Sequence, residues 1–139
     1  MAKMDVARQF FHACEGLKGS DGCADLVADG ATFRAQSEPI AEITSLLDYC
    51  DWMKGLGEGP LAGCQYEIIN SAFDDSTSTG IFFAVLHATH SGDGGPVEPT
   101  GQSVDADYVY AIAVNDDDKV SHMTKIWNAP WSLRELGWM

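Results

Sequence analysis

The sequence predicts an α+β domain, on three observations. Apart from one early strand, apolar residues recur at helical spacing as far as Met53, then alternate at strand spacing from Cys64 onward. A glycine and proline cluster, Gly55 to Pro60, divides the two regimes. Helices first and a meander of long strands afterwards place the helices on one face of a mainly antiparallel sheet. At 139 residues, 45% of them hydrophobic, the chain is one domain, 1-139, with a single core.

In order, Val6, Phe10, Ala13, Cys14 and Leu17 define a first helix that Gly16 and Gly19 end. Ser20 or Asp21 caps a second, short helix running through Leu26 and Val27. Ala31 to Gln36 reads as a first strand and Glu38-Pro39 as a turn. From about Thr44, the residues Leu46, Leu47, Cys50 and Met53 form another helix face, which Gly55, Gly57, Gly59 and Pro60 are expected to terminate.

Cys64 to Phe73 then alternates as a strand. Gly80 to His90 is apolar on both faces, so it is expected to be covered on both sides. Ser91 to Gly101 is a polar loop. Val104 to Val114 and Val120 to Trp127 form a hairpin around Asn115-Asp116-Asp117-Asp118-Lys119, and a short tail through Leu133 to Trp138 closes the chain.

Charge narrows the function. Eight basic against 21 acidic residues leave a net charge of −13, which excludes the cationic footprint that nucleic acid or an anionic membrane surface requires. No apolar run reaches the ~18 residues that span a bilayer. The opening Met1-Ala2-Lys3-Met4-Asp5 lacks the apolar region of an export signal, so a cytoplasmic protein is expected. Cysteines 14, 23, 50 and 64 form no C-x-x-C pair and read as reduced, buried, small hydrophobes.

The order of Ala28-Asp29-Gly30-Ala31-Thr32-Phe33, Thr89-His90-Ser91-Gly92, Pro99-Thr100-Gly101 and the closing Ile126-Trp127-Asn128 resembles the SnoaL-like, polyketide cyclase-like branch of the nuclear transport factor 2-like superfamily. The resemblance implies a cystatin-like, cone-shaped curved sheet, closed by about three N-terminal and mid-chain helices around a pocket for a small apolar molecule. It also implies which chemistry is missing. Ketosteroid isomerases, a distant branch, would place their general base at Ala35, their oxyanion tyrosine at Phe11 and their protonated aspartic acid at Tyr110. Neither Ala35 nor Phe11 has a proton to move, so that mechanism is not expected here. The acid/base aspartate of the polyketide cyclases would fall at Lys125.

Three residues are therefore catalytic candidates. Lys125 shares a strand face with Met123 and Trp127, which the resemblance directs into the cone as a pocket cation or a desolvated base. Tyr110 supplies a phenol donor, and His90 an acid/base near the mouth. The bland alternatives are a lysine snorkelling to solvent, a core tyrosine, and a histidine bound to a loop carbonyl. Leu46, Cys50, Met53, Tyr66, Met123 and Trp127 are the expected ligand contacts.

No cofactor motif occurs, and His87 and His90 face opposite sides of a strand, so no metal is expected. The leading reading is an isomerase, cyclase or dehydratase working by proton transfer. The alternative is a non-catalytic ligand-binding or dimerisation module. A homodimer is expected because Ile81, Phe83 and Val85 have no helix to cover them.

Overall fold

The computed structural model describes residues 2–139. Its elements are α1 (Lys3–Glu15), α2 (Gly19–Cys23), a 3-10 turn at Ala24–Leu26, β1 (Val27–Ala35) and α3 (Leu46–Glu58). The strands β2 (Gln65–Asp74), β3 (Thr79–Thr89), β4 (Ser103–Val114) and β5 (Val120–Trp127) follow, and α4 (Ala129–Glu135) ends the fold. The five strands form one mixed sheet in the order β1-β5-β4-β3-β2, not closed into a barrel. All neighbours are antiparallel except β1 and β5, which run parallel with Ala35 opposite Lys125.

Side-chain alternation decides which face is buried. On β4, Val104, Ala106, Tyr108, Tyr110, Ile112 and Val114 point into the core, whereas Asp105 and Asp107 are exposed. Phe10 and Phe11 of α1, Leu46 and Tyr49 of α3, Phe33 and Phe82 make the main cluster. A second cluster gathers Leu61, Ala88, Val104, Ala106 and Leu136 towards the other end of the sheet.

Three expectations are revised. Helix α3 runs through Gly55 and Gly57 and ends only at Gly59. Gly57 is needed for contact, because a Cβ there would lie 2.5 Å from Leu17 Cδ2. The closing tail contains a fourth helix: Asn128 accepts from Trp131 N at 3.2 Å as its N-cap, and Pro130 occupies its first turn. The second helix stops at Cys23 and a 3-10 turn follows, so Val27 opens β1 instead of closing a helix. The outer face of β3, for which the chain has no helix, leaves Ile81 38% exposed and Phe83 and Val85 half-buried.

Candidate functional site

A cavity of about 350 Å³ lies between the two core clusters. Its walls are apolar: Trp52, Met53 and Leu56 from α3, Val104 and Ala106 from β4, Trp127 from β5, and Leu133, Leu136 and Trp138 from the end of the chain. The exposed residues Glu38, Pro39 and Pro96 lie where it meets solvent. Two buried charged side chains, Lys125 and Glu15, share the lining, 6% and 4% exposed.

Both ionisable groups are held by phenols. Lys125 Nζ donates to Tyr49 Oη at 3.0 Å, and Tyr108 Oη donates to Glu15 Oε2 at 2.8 Å. Tyr110 Oη donates to Glu15 Oε1 and is also hydrogen-bonded to Tyr49 Oη. Each phenol has a single proton, so the order is fixed. Tyr110 spends its proton on Glu15, hence Tyr49 donates to Tyr110 and receives from Lys125. A one-way chain thus runs from Lys125 through Tyr49 and Tyr110 to Glu15.

Local sequence explains the convergence. Tyr49 lies three residues after Leu46 and four before Met53, on the buried face of α3, and stacks on Phe33 with ring centroids 4.3 Å apart. Glu15 follows Phe11 by four residues on the core side of α1. Tyr110 and Lys125 are register partners on β4 and β5. The ammonium is ringed by aromatic faces, the nearest being Trp127 at 4.5 Å and Tyr49 at 5.2 Å from ring centroid to Nζ.

Burial sets the proton affinities. Loss of water pushes the Lys125 ammonium down to about 8, opposed by the Glu15 carboxylate. The same desolvation raises Glu15, against the pull of Lys125 and its two phenol donors. Tyr49 and Tyr110 are raised by burial and then by the nearby carboxylate, so both remain protonated. The wall therefore carries a weakened acid and a weakened base joined by hydroxyl groups.

The expected site residues divide as follows. Lys125, Met53 and Trp127 line the cavity. Tyr110 is sealed behind the wall, reaching the site only through Glu15 and Tyr49. Leu46, Cys50 and Met123 are core residues away from the lining, since their strand or helix faces are filled by the main cluster. Tyr66 is bonded to His12 at 2.9 Å, outside the cavity.

His90 is fully buried and does not line the cavity. Its Nδ1 accepts from Trp138 Nε1 at 2.8 Å and from Thr100 N at 3.2 Å, so it anchors a wall residue. Glu15, Tyr49, Tyr108 and α4 were absent from the expected site. A carboxylate beside Cys14 on an apolar helix face, and the Asn128-Ala129-Pro130 start signal, were the signs of two of them.

No family model matches the sequence, and no curated protein does. Solved structures do. A candidate SnoaL-like polyketide cyclase from Jannaschia sp. CCS1 superposes with a TM-score of 0.78 at 17% identity, over 97% of this chain and 91% of that one. The fold is SnoaL-like and nuclear transport factor 2-like. IdmH, a candidate polyketide cyclase from Streptomyces antibioticus, gives 0.75 at 14% identity over 99% of both chains. A nuclear transport factor 2-like protein from Burkholderia thailandensis gives 0.74 at 14%, over 99% of this chain and 98% of that one. Among the described residues, no helix is long and apolar enough to cross a membrane.

Proposed function

We propose that the cavity binds a small, mostly apolar molecule carrying a carbonyl or enol oxygen and moves a proton on it, as an isomerase, cyclase or dehydratase does. One observation carries this reading: the only buried charged side chains among the described residues, Glu15 and Lys125, both line the same apolar cavity. A buried charge pair is costly, and replacing it by apolar residues is often neutral or stabilising, so its presence in a ligand-sized space favours a chemical role. Lys125 offers two further N–H donors to a developing oxyanion, while Glu15 accepts or returns the carbon-bound proton.

Likeness to candidate polyketide cyclases supports the ligand class. In this reading the protein works as a homodimer in the cytoplasm, where its four free cysteines stay reduced. Native mass spectrometry of the purified protein tests the pocket: a co-purified apolar ligand is expected, displaced or weakened in Lys125→Met. Equal ligand retention by wild type and Lys125→Met would refute the assignment.

A further inference from the structure

We infer that Lys125 is an amine nucleophile that forms a Schiff base with an aldehyde or ketone in the cavity, using the tyrosine chain to Glu15 to shed its proton. The inference rests on the pocket reading above and names its substrate class.

Three features support it. Lys125 lines the cavity and is buried, so its amine is not in bulk water. Its one observed acceptor is Tyr49, whose own proton points towards Tyr110, whose proton points to Glu15. If each donor passes its proton to its acceptor in concert, an ammonium and a carboxylate become an amine and a carboxylic acid, with no charge left in the apolar site. The phenols never ionise, in keeping with their raised proton affinities. Finally, the aromatic ring faces around Nζ suit any cation formed at that nitrogen, ammonium or iminium alike.

The chemistry balances within these groups. The freed lone pair of Nζ attacks the carbonyl carbon, a C–N bond forms, and the π pair moves to oxygen, which takes the proton held by Glu15. The nitrogen of this adduct returns one proton through Tyr49 and Tyr110 to Glu15. That proton then joins the carbinolamine hydroxyl, the C–O bond breaks, water leaves, and the nitrogen lone pair closes C=N. Of the three ammonium protons, two depart in water and one stays on the iminium; Glu15 ends as the carboxylate it was. The iminium withdraws electrons from the adjacent carbon, whose proton the carboxylate can then accept.

Reductive trapping tests this. The protein is incubated with methyl hexyl ketone and sodium cyanoborohydride, then digested and mapped by mass spectrometry, while tryptophan fluorescence reports non-covalent binding of the ketone alone. One alkyl group is expected on Lys125, at least about tenfold above the internal background of Lys3, Lys18, Lys54 and Lys119. Because the proton passes to Glu15 within the site, trapping at Lys125 should change little with pH just below about 8, whereas the exposed lysines lose about tenfold in reactivity per pH unit. A tenfold-per-unit fall at Lys125 as well, about as steep as theirs, would overturn the relay. Tyr49→Phe and Tyr110→Phe, each of which severs the chain behind the wall, should slow trapping at neutral pH with ketone binding retained. Binding without enrichment at Lys125 would overturn the Schiff base and leave the pocket reading standing. Absence of both quenching and trapping would bring down the pocket reading with it.

Discussion

Lys125 and Glu15 stand at opposite ends of a single hydrogen-bonded chain, with Tyr49 and Tyr110 as its two links. The ends face the cavity, whereas Tyr110 is sealed behind them. Perturbing either end should therefore be felt at the other, and the effects can be measured separately.

Glu15→Gln keeps the shape of the side chain and removes its charge. The carboxylate is what holds Lys125 up against desolvation, so the lysine should titrate still lower than about 8 in this variant. Heteronuclear NMR of the lysine side chain reads this directly. An upward move would show that another anion sets its proton affinity.

Tyr49→Phe preserves the stack on Phe33 and removes the hydroxyl between Lys125 and Tyr110. The buried ammonium and the Tyr110 oxygen each lose a partner, a cost of about 1–3 kcal/mol. Urea denaturation should show that loss with an unchanged m-value. A variant as stable as wild type would mean that the chain contributes nothing to the fold.

Stability should also depend on pH in a defined direction. Lys125 binds its proton less tightly in the folded protein, at about 8 against 10.5, so the unfolded chain holds more protons between those values. Folding is accordingly penalised below about 8, and the penalty disappears as pH rises to 10.5. The gap is worth at most about 3 kcal/mol. Denaturation curves of wild type minus Lys125→Met should show the wild type gaining over that window. Glu15, raised by burial, acts at the acid end with the opposite slope: its contribution is greatest below 4.5 and is lost as pH rises through its folded value.

The uncovered sheet face predicts association. Ile81 is 38% and Ile126 61% exposed, with Phe83, Val85 and Val109 half-buried on the same outer side. Light scattering should return a dimer, and Val85→Asp should dissociate it by placing a charge in an apolar interface. A wild-type particle of 15.0 kDa at micromolar concentration would refute this.

Much of the fold was legible because its signals are local. The alternation from Val104 to Val114 and the helical spacing around Leu46 and Met53 each specify one element without reference to another. The site was less legible because it depends on depth. Lys125, Met53 and Trp127 line the cavity, while Tyr110, one strand away and in register with Lys125, lies behind its wall. No periodicity distinguishes a residue beside a void from one packed against it. Glu15 was hidden for another reason: an isolated acid at the end of a helix ordinarily faces water. Gly55 and Gly57 signalled a helix end because glycine usually weakens helices, yet close approach of Leu17 keeps Gly57 inside one.

The parallel pairing of β1 with β5 has a consequence for how the pocket comes into being. These strands are the most distant in sequence, and their register brings Ala35 beside Lys125. During synthesis α1, α3 and the hairpin of β2 and β3 are available early, but the lysine-bearing strand emerges only after them. Loop-closure entropy makes such a remote parallel contact slow to form. The cavity wall is thus complete only when the last strand and the tail have joined the fold, since Lys125, Trp127, Leu133, Leu136 and Trp138 face Trp52 and Met53 of α3 across it. A bound ligand would fasten the end of the chain to that helix.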